Sequence, residues 1–170
     1  VYEGDFFNIG CLAKGGAMLY TWTKAGVEVF KSTSTEYYFK SAALLTDGGA
    51  YRLTASNSAG SVSLDFNLTV NAMVLPIIQT GPVNTVIYGS LSGSIPTVLQ
   101  HPNTLQLNVF ATGGGLSYQW FKNGVAISGA TASVLYNFNA GEADAGTYSV
   151  KVTNAKGTVT SADAVVTYQP

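Results

Sequence analysis

The chain is poor in cysteine, histidine and charge. Of its 170 residues one is a cysteine, Cys11, one is a histidine, and 10% are charged, against about 25% in typical soluble domains. A single cysteine cannot form a disulfide within the chain, so cysteine content does not report the redox compartment. The few lysines and arginines are scattered, and a nucleic-acid surface is therefore not expected, because such a surface needs clustered cations.

The sequence also lacks long apolar runs and the motifs of known catalytic sites. No apolar run has the length of a membrane-spanning helix, so membrane insertion is not expected. No metal-ligand spacing, cofactor-binding loop or Ser-His-Asp order is present, so we expect no metal, no cofactor and no catalytic residue. His101 is interpreted as a solvated turn residue, and Glu142 and Asp144 as structural loop charges. The chain is predicted not to be an enzyme.

What the sequence does contain is an internal repeat. Three motifs occur twice in the same order: Tyr-x-Trp-x-Lys-x-Gly at 20–26 and 118–124, Asp-x-Gly-x-Tyr at 47–51 and 144–148, and Asn-x-x-Gly at 57–60 and 154–157. The offset is 98 residues at the tryptophans and 97 at the tyrosines, so the two copies differ by one deletion. Self-similarity of this kind predicts two copies of one domain.

The apolar residues alternate with polar ones along most of the chain. The clearest run has Val62, Leu64, Phe66 and Leu68 on one side and polar residues between them. A period of two predicts half-buried strands, and short strands separated by turn signals predict an all-β sandwich or barrel. No segment shows a helical period.

These patterns predict the following domain boundaries. Residues 1–71 form the first domain, whose first strand is predicted to be truncated because residue 1 falls within it. Residues 72–76 form a short apolar linker, and residues 77–170 form the second domain with an inserted loop near 83–100.

Each copy resembles an immunoglobulin-like domain of the I-set type. The resemblance is carried by Trp22 and Trp120 on the third strand, by the Asp-x-Gly-x-Tyr corners that end in Tyr51 and Tyr148, and by the Asn-x-x-Gly hairpins that follow. In this family the tryptophan fills the space between two sheets and the tyrosine hydroxyl bonds back to the backbone. The resemblance implies an all-β fold with two immunoglobulin-like β-sandwiches in tandem.

The resemblance also implies a structural core. In this family two cysteines usually bridge the sheets, and here the matching positions are Cys11 with Leu53 and Val109 with Val150. Apolar packing therefore replaces a cross-link that contributes about 2–4 kcal/mol. The expected core consists of Trp22, Trp120, Tyr51, Tyr148, Cys11, Leu53, Val109 and Val150. Lys40 and Asn137 depart from the family, which has apolar residues there.

The candidate contact residues are aromatic or lie in the insertion. Neighbouring residues on a strand face opposite sides, so at least one ring of Tyr37, Tyr38 and Phe39 is expected to be exposed. Leu12 and Phe110 are expected to point outward in the same way.

The second group of contact candidates is Tyr88, Leu91 and Ile95 in the insertion. Long loops in compact domains are often functional. The insertion is either a docking loop or a passive extension that adds an edge strand, and the sequence leaves both open.

Disulfide-free copies of this kind resemble the Ig-like repeats of tailed-phage virion proteins and of bacterial exported proteins. The resemblance implies a non-enzymatic structural or binding module on an outer surface, first of all a phage virion decoration or tail-appendage protein. The alternative is a spacer or adhesion segment of a bacterial exported or cell-surface protein. The expected partner is a protein of a virion or cell-surface assembly, or a surface glycan, and the expected location is the virion surface or the extracellular side of a cell.

Overall fold

The computed structural model describes residues 1–89 and 103–170, which form two compact units, Val1–Met73 and Val74–Pro170. In these residues each unit has β-strands and one short 3-10 turn, at Leu45–Asp47 in the first and at Glu142–Asp144 in the second.

The first unit has two antiparallel sheets. Its strands are β1 (Phe7–Ile9), β2 (Leu19–Lys24), β3 (Val27–Ser32), β4 (Tyr38–Lys40), β5 (Gly49–Asn57) and β6 (Gly60–Leu68). The larger sheet has the order β3-β2-β5-β6, and the smaller one pairs β1 with β4. Side chains of β1 and β4 pack against the buried residues of β2 and β5, so the core lies between the two sheets.

Along β5, buried side chains on one face alternate with more exposed side chains on the other. Tyr51, Leu53 and Ala55 are buried, because they face the smaller sheet. The same alternation predicted a buried apolar face on β6, but Val62 and Leu64 on that strand are 64% and 50% exposed. The physical reason is the position of the strand: β6 lies at the edge of its sheet, whereas Leu53 and Ala55, directly opposite Leu64 and Val62 on β5, are buried.

The second unit has a longer main sheet. Its strands are β7 (Ile77–Thr80), β8 (Thr85–Tyr88), β9 (Leu105–Asn108), β10 (Phe110–Thr112), β11 (Ser117–Lys122), β12 (Val125–Ala126), β13 (Val134–Asn137), β14 (Gly146–Asn154), β15 (Gly157–Thr160) and β16 (Ala164–Gln169). The main sheet has the order β12-β11-β14-β16-β8, and β15 also pairs with β14. Two further antiparallel pairs, β13 with β9 and β10 with β7, form separate two-stranded sheets among the described residues.

Part of the predicted insertion is a strand of the main sheet. Strand β8 pairs with β16 in the parallel direction, and Ile87 is 0% exposed. Tyr88 lies opposite Gln169 and is half-buried. Within the described residues, Thr85–Tyr88 are thus an outermost strand of the main sheet. Leu91 and Ile95 lie outside the described residues.

The tight turn after the tryptophan strand has the same backbone in both units. Ala25 and Gly26 have φ values of 49° and 83°, and Asn123 and Gly124 have 49° and 78°. Positive φ at two successive residues is the geometry of a two-residue hairpin turn, which Asn and Gly favour. In the second unit the Asn123 Oδ1 atom also accepts a hydrogen bond of 2.8 Å from the Thr147 amide.

Candidate functional site

Apart from Tyr51, the expected core residues of each unit belong to one hydrophobic cluster or pack against it. Trp22 lies directly opposite Leu53 in the ladder of β2 and β5, and Trp120 lies opposite Val150 in the ladder of β11 and β14. All the expected core residues except one are buried, namely Trp22, Trp120, Tyr51, Tyr148, Leu53, Val109 and Val150. Cys11 is half-buried and packs against the first cluster as a free thiol.

A buried tyrosine fixes the corner before the long strand in each unit. The hydroxyl of Tyr51 donates to the Asp47 carbonyl oxygen at 2.8 Å, and that of Tyr148 donates to the Asp144 carbonyl oxygen at 2.7 Å. Burial raises the pKa of both hydroxyls to about 12. Both tyrosines therefore remain neutral donors at physiological pH and have a structural role.

The two residues that depart from the family pattern both contact the corner aspartate. In the first unit the Lys40 ammonium lies 2.6 Å from the Asp47 Oδ1 atom. In the second unit the Asn137 amide takes the equivalent place and donates to the Asp144 Oδ2 atom at 3.3 Å. A polar residue is tolerated at this core-edge position because the aspartate satisfies it.

The ion pair shifts the pKa values of both partners. Burial acts to raise the pKa of Asp47, but the hydrogen bonds from Lys40 and from the Leu44 amide, with the charges of Lys40 and Lys24, outweigh it and lower that pKa. The hydrogen bond to Asp47 raises the pKa of Lys40 above its ordinary value, against the opposing effect of burial.

The stability of the first unit should therefore depend on pH. The contribution of Asp47 is complete above its unfolded pKa of 3.8 and is lost as pH falls through its lower folded value. The contribution of Lys40 is complete below 10.5 and is lost as pH rises through its higher folded value. We expect Lys40→Met to cost about 1 kcal/mol at neutral pH, because the Lys40 side chain is 35% exposed and partly screened.

Thermal unfolding between acidic and neutral pH measures this effect. The cost of Lys40→Met should shrink as Asp47 is protonated. Lys31→Met is the control, because Lys31 only forms an exposed pair with Glu28 at 3.7 Å. An equal cost of Lys40→Met at all pH values would contradict the assignment.

The outward side of the small sheet of the first unit carries exposed rings. On β4 and beside it, Phe39 is 62% exposed and Tyr37 is 43% exposed. Tyr38 is half-buried and packs against the core cluster. Phe6, which is 58% exposed, has its ring centroid 6.5 Å from that of Phe39. Leu12 is 84% exposed.

The second unit has an equivalent surface on the ladder of β9 and β13. Tyr136 is 39% exposed and Phe138 is 72% exposed, with 4.1 Å between their ring centroids. Val134 and Phe110 are also exposed. We call these two surfaces the outer faces; they comprise Phe6, Asn8, Tyr37 and Phe39 in the first unit, and Gln106, Asn108, Val134, Tyr136 and Phe138 in the second.

One combination of side chains occurs at the same place on both outer faces. Phe39 lies opposite Asn8 across the strands, and Tyr136 lies opposite Gln106. Each unit thus presents an exposed ring beside an exposed side-chain amide. An aromatic ring supplies a rigid apolar contact and an amide supplies both donors and acceptors, which is a chemistry suited to binding.

Phe6 and Phe138 are not among the contact residues predicted from the sequence. Both could have been found by alternation, because Phe6 precedes the inward Phe7 and Phe138 lies two residues after Tyr136.

Within residues 1–89 and 103–170 no group of three or more His, Cys, Asp or Glu side chains is placed to hold a metal ion. No helix in the same part of the chain is both long enough and apolar enough to span a membrane.

Comparison with known proteins finds a family model that matches the first unit. Residues 1–70 match the model of the immunoglobulin domain family. The chain is also similar to hemicentin-2 of Mus musculus, with 32% identity over 170 residues, which is 94% of this chain and 3% of that protein. The chain therefore spans only a small part of the length of this curated relative.

Two solved structures have a similar fold. The chimeric titin Z1Z2 functionalised with a KLER exogenous peptide from decorin aligns with a TM-score of 0.53 and 23% identity, over 100% of this chain and 91% of that chain. The structure of Sidekick-1 immunoglobulin domains 1–5 aligns with a TM-score of 0.51 and 19% identity, over 98% of this chain and 36% of that chain. At these identities the likeness shows the fold. Residues 1–70 therefore resemble an immunoglobulin domain, and the chain has the all-β fold of immunoglobulin-like sandwiches in tandem.

Proposed function

We propose that this chain is a non-enzymatic structural and binding module that is displayed on an outer surface and contacts a protein partner through its outer faces. The observation that carries the proposal is the repeated pair of ring and amide, Phe39 with Asn8 and Tyr136 with Gln106. A ring that the fold needs for its core is buried, as Trp22 and Trp120 are. Exposed rings at the same register in both units have no such use in the core, and aromatic residues are enriched in protein interfaces.

The setting that we propose first is a phage virion, with the chain as a decoration or tail-appendage protein. The low content of charge and a core that needs no disulfide suit a protein that folds in a reducing cytoplasm and then works outside the cell. The second setting is a spacer or adhesion segment of a bacterial exported or cell-surface protein. The division into domains 1–71 and 77–170, joined by 72–76, belongs to this proposal, because each domain then carries its own outer face.

Mass spectrometry of purified virions and of cell-surface fractions from the source organism distinguishes the two settings. Presence of the chain in virions supports the first setting and presence in the cell-surface fraction supports the second. Absence of the chain from both preparations, with the chain found only in the cell interior, would overturn display on an outer surface.

The outer faces are tested by binding of the labelled chain to those same particles. We expect Phe39→Ser combined with Tyr136→Ser to weaken binding at least tenfold, because both rings are removed from the contact. The matched control is Val27→Ser with Val125→Ser, which removes two apolar side chains that are 68% and 71% exposed at equivalent hairpin positions. Equal losses in the two double variants would contradict the assignment of the outer faces. Retention on a glycan array that requires the same rings would replace the protein partner by a glycan.

A further inference from the structure

The two units differ in charge around the corner aspartate. In the first unit the Lys40 ammonium binds the Asp47 Oδ1 atom at 2.6 Å, and the Leu44 amide binds Oδ2 at 2.8 Å. Lys24 adds a second positive charge near the same carboxylate. The first corner thus combines two lysines with one aspartate.

The corner of the second unit leaves one carboxylate oxygen unused. The Gly141 amide binds the Asp144 Oδ2 atom at 2.9 Å, and the Asn137 amide binds the same atom at 3.3 Å. In the described part of the chain, the Asp144 Oδ1 atom accepts no hydrogen bond and Asp144 forms no ion pair. This oxygen is the one that the lysine binds in the first unit.

The net charge changes sign between the two corners. In the second unit the corner has one lysine, Lys122, and two acids, Asp144 and Glu142, which belong to the same 3-10 turn. The Lys122 ammonium donates to the Ala143 carbonyl oxygen and lies 5.9 Å from the centroid of the Tyr148 ring. The second corner therefore has one cation fewer and one anion more than the first, and its field favours a positive ligand.

An open cleft gives access to this corner. It has a volume of about 400 Å³, and its lining includes Asp144, Asn137 and Lys122 together with apolar side chains. Leu105, Ile127 and Leu135 supply the apolar part. Apolar walls with a few polar groups at one place are the usual composition of a ligand site.

We infer that this cleft binds the side chain of a lysine presented by a protein partner. The aliphatic stem lies along Leu105, Ile127 and Leu135, and the ammonium occupies at Asp144 Oδ1 the place that the Lys40 ammonium has in the first unit. The inference deepens the proposed function by naming a chemistry of the partner. It rests on that function for the existence of a protein partner. The site is independent of Phe39 and the first outer face, but Tyr136 of the second outer face also lines the cleft.

The site can be tested with a small probe. Nα-acetyl-lysine methylamide, titrated into the ¹⁵N-labelled chain, should shift the amide signals of Gly141, Asp144 and Asn137 and leave those of Leu44 and Asp47 unchanged. A ligand with so few atoms should bind with a Kd on the order of 1 mM. The norleucine analogue has the same stem without the ammonium and should cause no saturable shift. Equal shifts by both probes, or no shift by the lysine probe at roughly 50 mM, would overturn the inference.

Two variants that exchange the residues at positions 40 and 137 of the two corners separate binding at the site from general effects on folding. Asn137→Lys places a lysine of the chain itself at the cleft, so it should weaken probe binding at least tenfold and raise the thermal midpoint of the second unit. Lys40→Asn vacates the first corner and should create new shifts at Leu44 and Asp47. Undiminished binding to a folded Asn137→Lys chain would overturn the inference.

The failure of this site and the failure of the proposed function are distinguishable. If Asn137→Lys abolishes probe binding but particles are still bound, the site exists and the partner does not use it. If the probe does not bind while Phe39→Ser with Tyr136→Ser still removes particle binding, the lysine site fails and the outer faces stand.

Discussion

Replacement of Trp120 by alanine should lower the free energy of unfolding of the second unit by about 3–5 kcal/mol. The Trp120 side chain is 0% exposed, and its Nε1 atom donates to the Ala132 carbonyl oxygen at 2.9 Å. Its removal leaves a cavity between the sheets and an acceptor without its donor, and these costs add. Urea denaturation with amide hydrogen exchange measures the loss in each unit separately.

The control is an aromatic residue of the same unit outside the core. Phe138 is 72% exposed, so Phe138→Ala should change the free energy of unfolding by less than about 0.5 kcal/mol. Trp22→Ala should cost less than Trp120→Ala, because in the described residues the Trp22 Nε1 atom has no hydrogen-bond partner to lose. A Trp120→Ala cost near that of Phe138→Ala would contradict a core built around the indole ring.

A single cysteine at position 53 should create a cross-link between the sheets of the first unit. Leu53 is 1% exposed in the cluster against which Cys11 packs, and the resemblance to the immunoglobulin family implies that these two positions face each other. Oxidised Leu53→Cys should be more stable than the same variant in reductant by about 2–4 kcal/mol, because the bond restricts the unfolded chain. Reduced Leu53→Cys should be less stable than the wild type, because the leucine packing is lost.

Mass spectrometry of the intact protein detects the bond as the loss of two hydrogen atoms. The control is Leu53→Cys combined with Cys11→Ala, which has the same new thiol but no partner for it. Its stability should not depend on reductant. Thiols that stay free in the single variant under oxidising conditions would show that positions 11 and 53 do not face each other across the sandwich.

Much of the fold could be predicted because its signals are local and occur twice. The Asp-x-Gly-x-Tyr motif contains both the tyrosine and the aspartate whose carbonyl oxygen accepts its hydrogen bond. The alternation of Tyr51, Leu53 and Ala55 indicates which side of β5 is buried. Signals of this kind depend on the spacing of a few neighbouring residues.

The parts of the fold that could not be predicted depend on contacts with strands and residues that are distant in the sequence. Val62 and Leu64 have the same alternation as the rest of β6, yet they are exposed, because β6 lies at the edge of its sheet. Lys40 and Asn137 stand at positions that are apolar in the family, and only the corner aspartate beside them explains why a polar residue is tolerated. Coverage and pairing between distant strands leave no local pattern in the chain.

The sequence by itself determined that the protein is a tandem of all-β domains, each built around one tryptophan and one corner tyrosine, because repetition, alternation and turn residues act over short stretches of chain. Only the tertiary structure decided which surfaces are open. It placed Phe39 beside Asn8 and Tyr136 beside Gln106 on exposed faces, and it left the Asp144 Oδ1 atom unused at an apolar cleft. These features arise from contacts between strands far apart in the chain, where packing and charge balance depend on the partner that folding brings alongside.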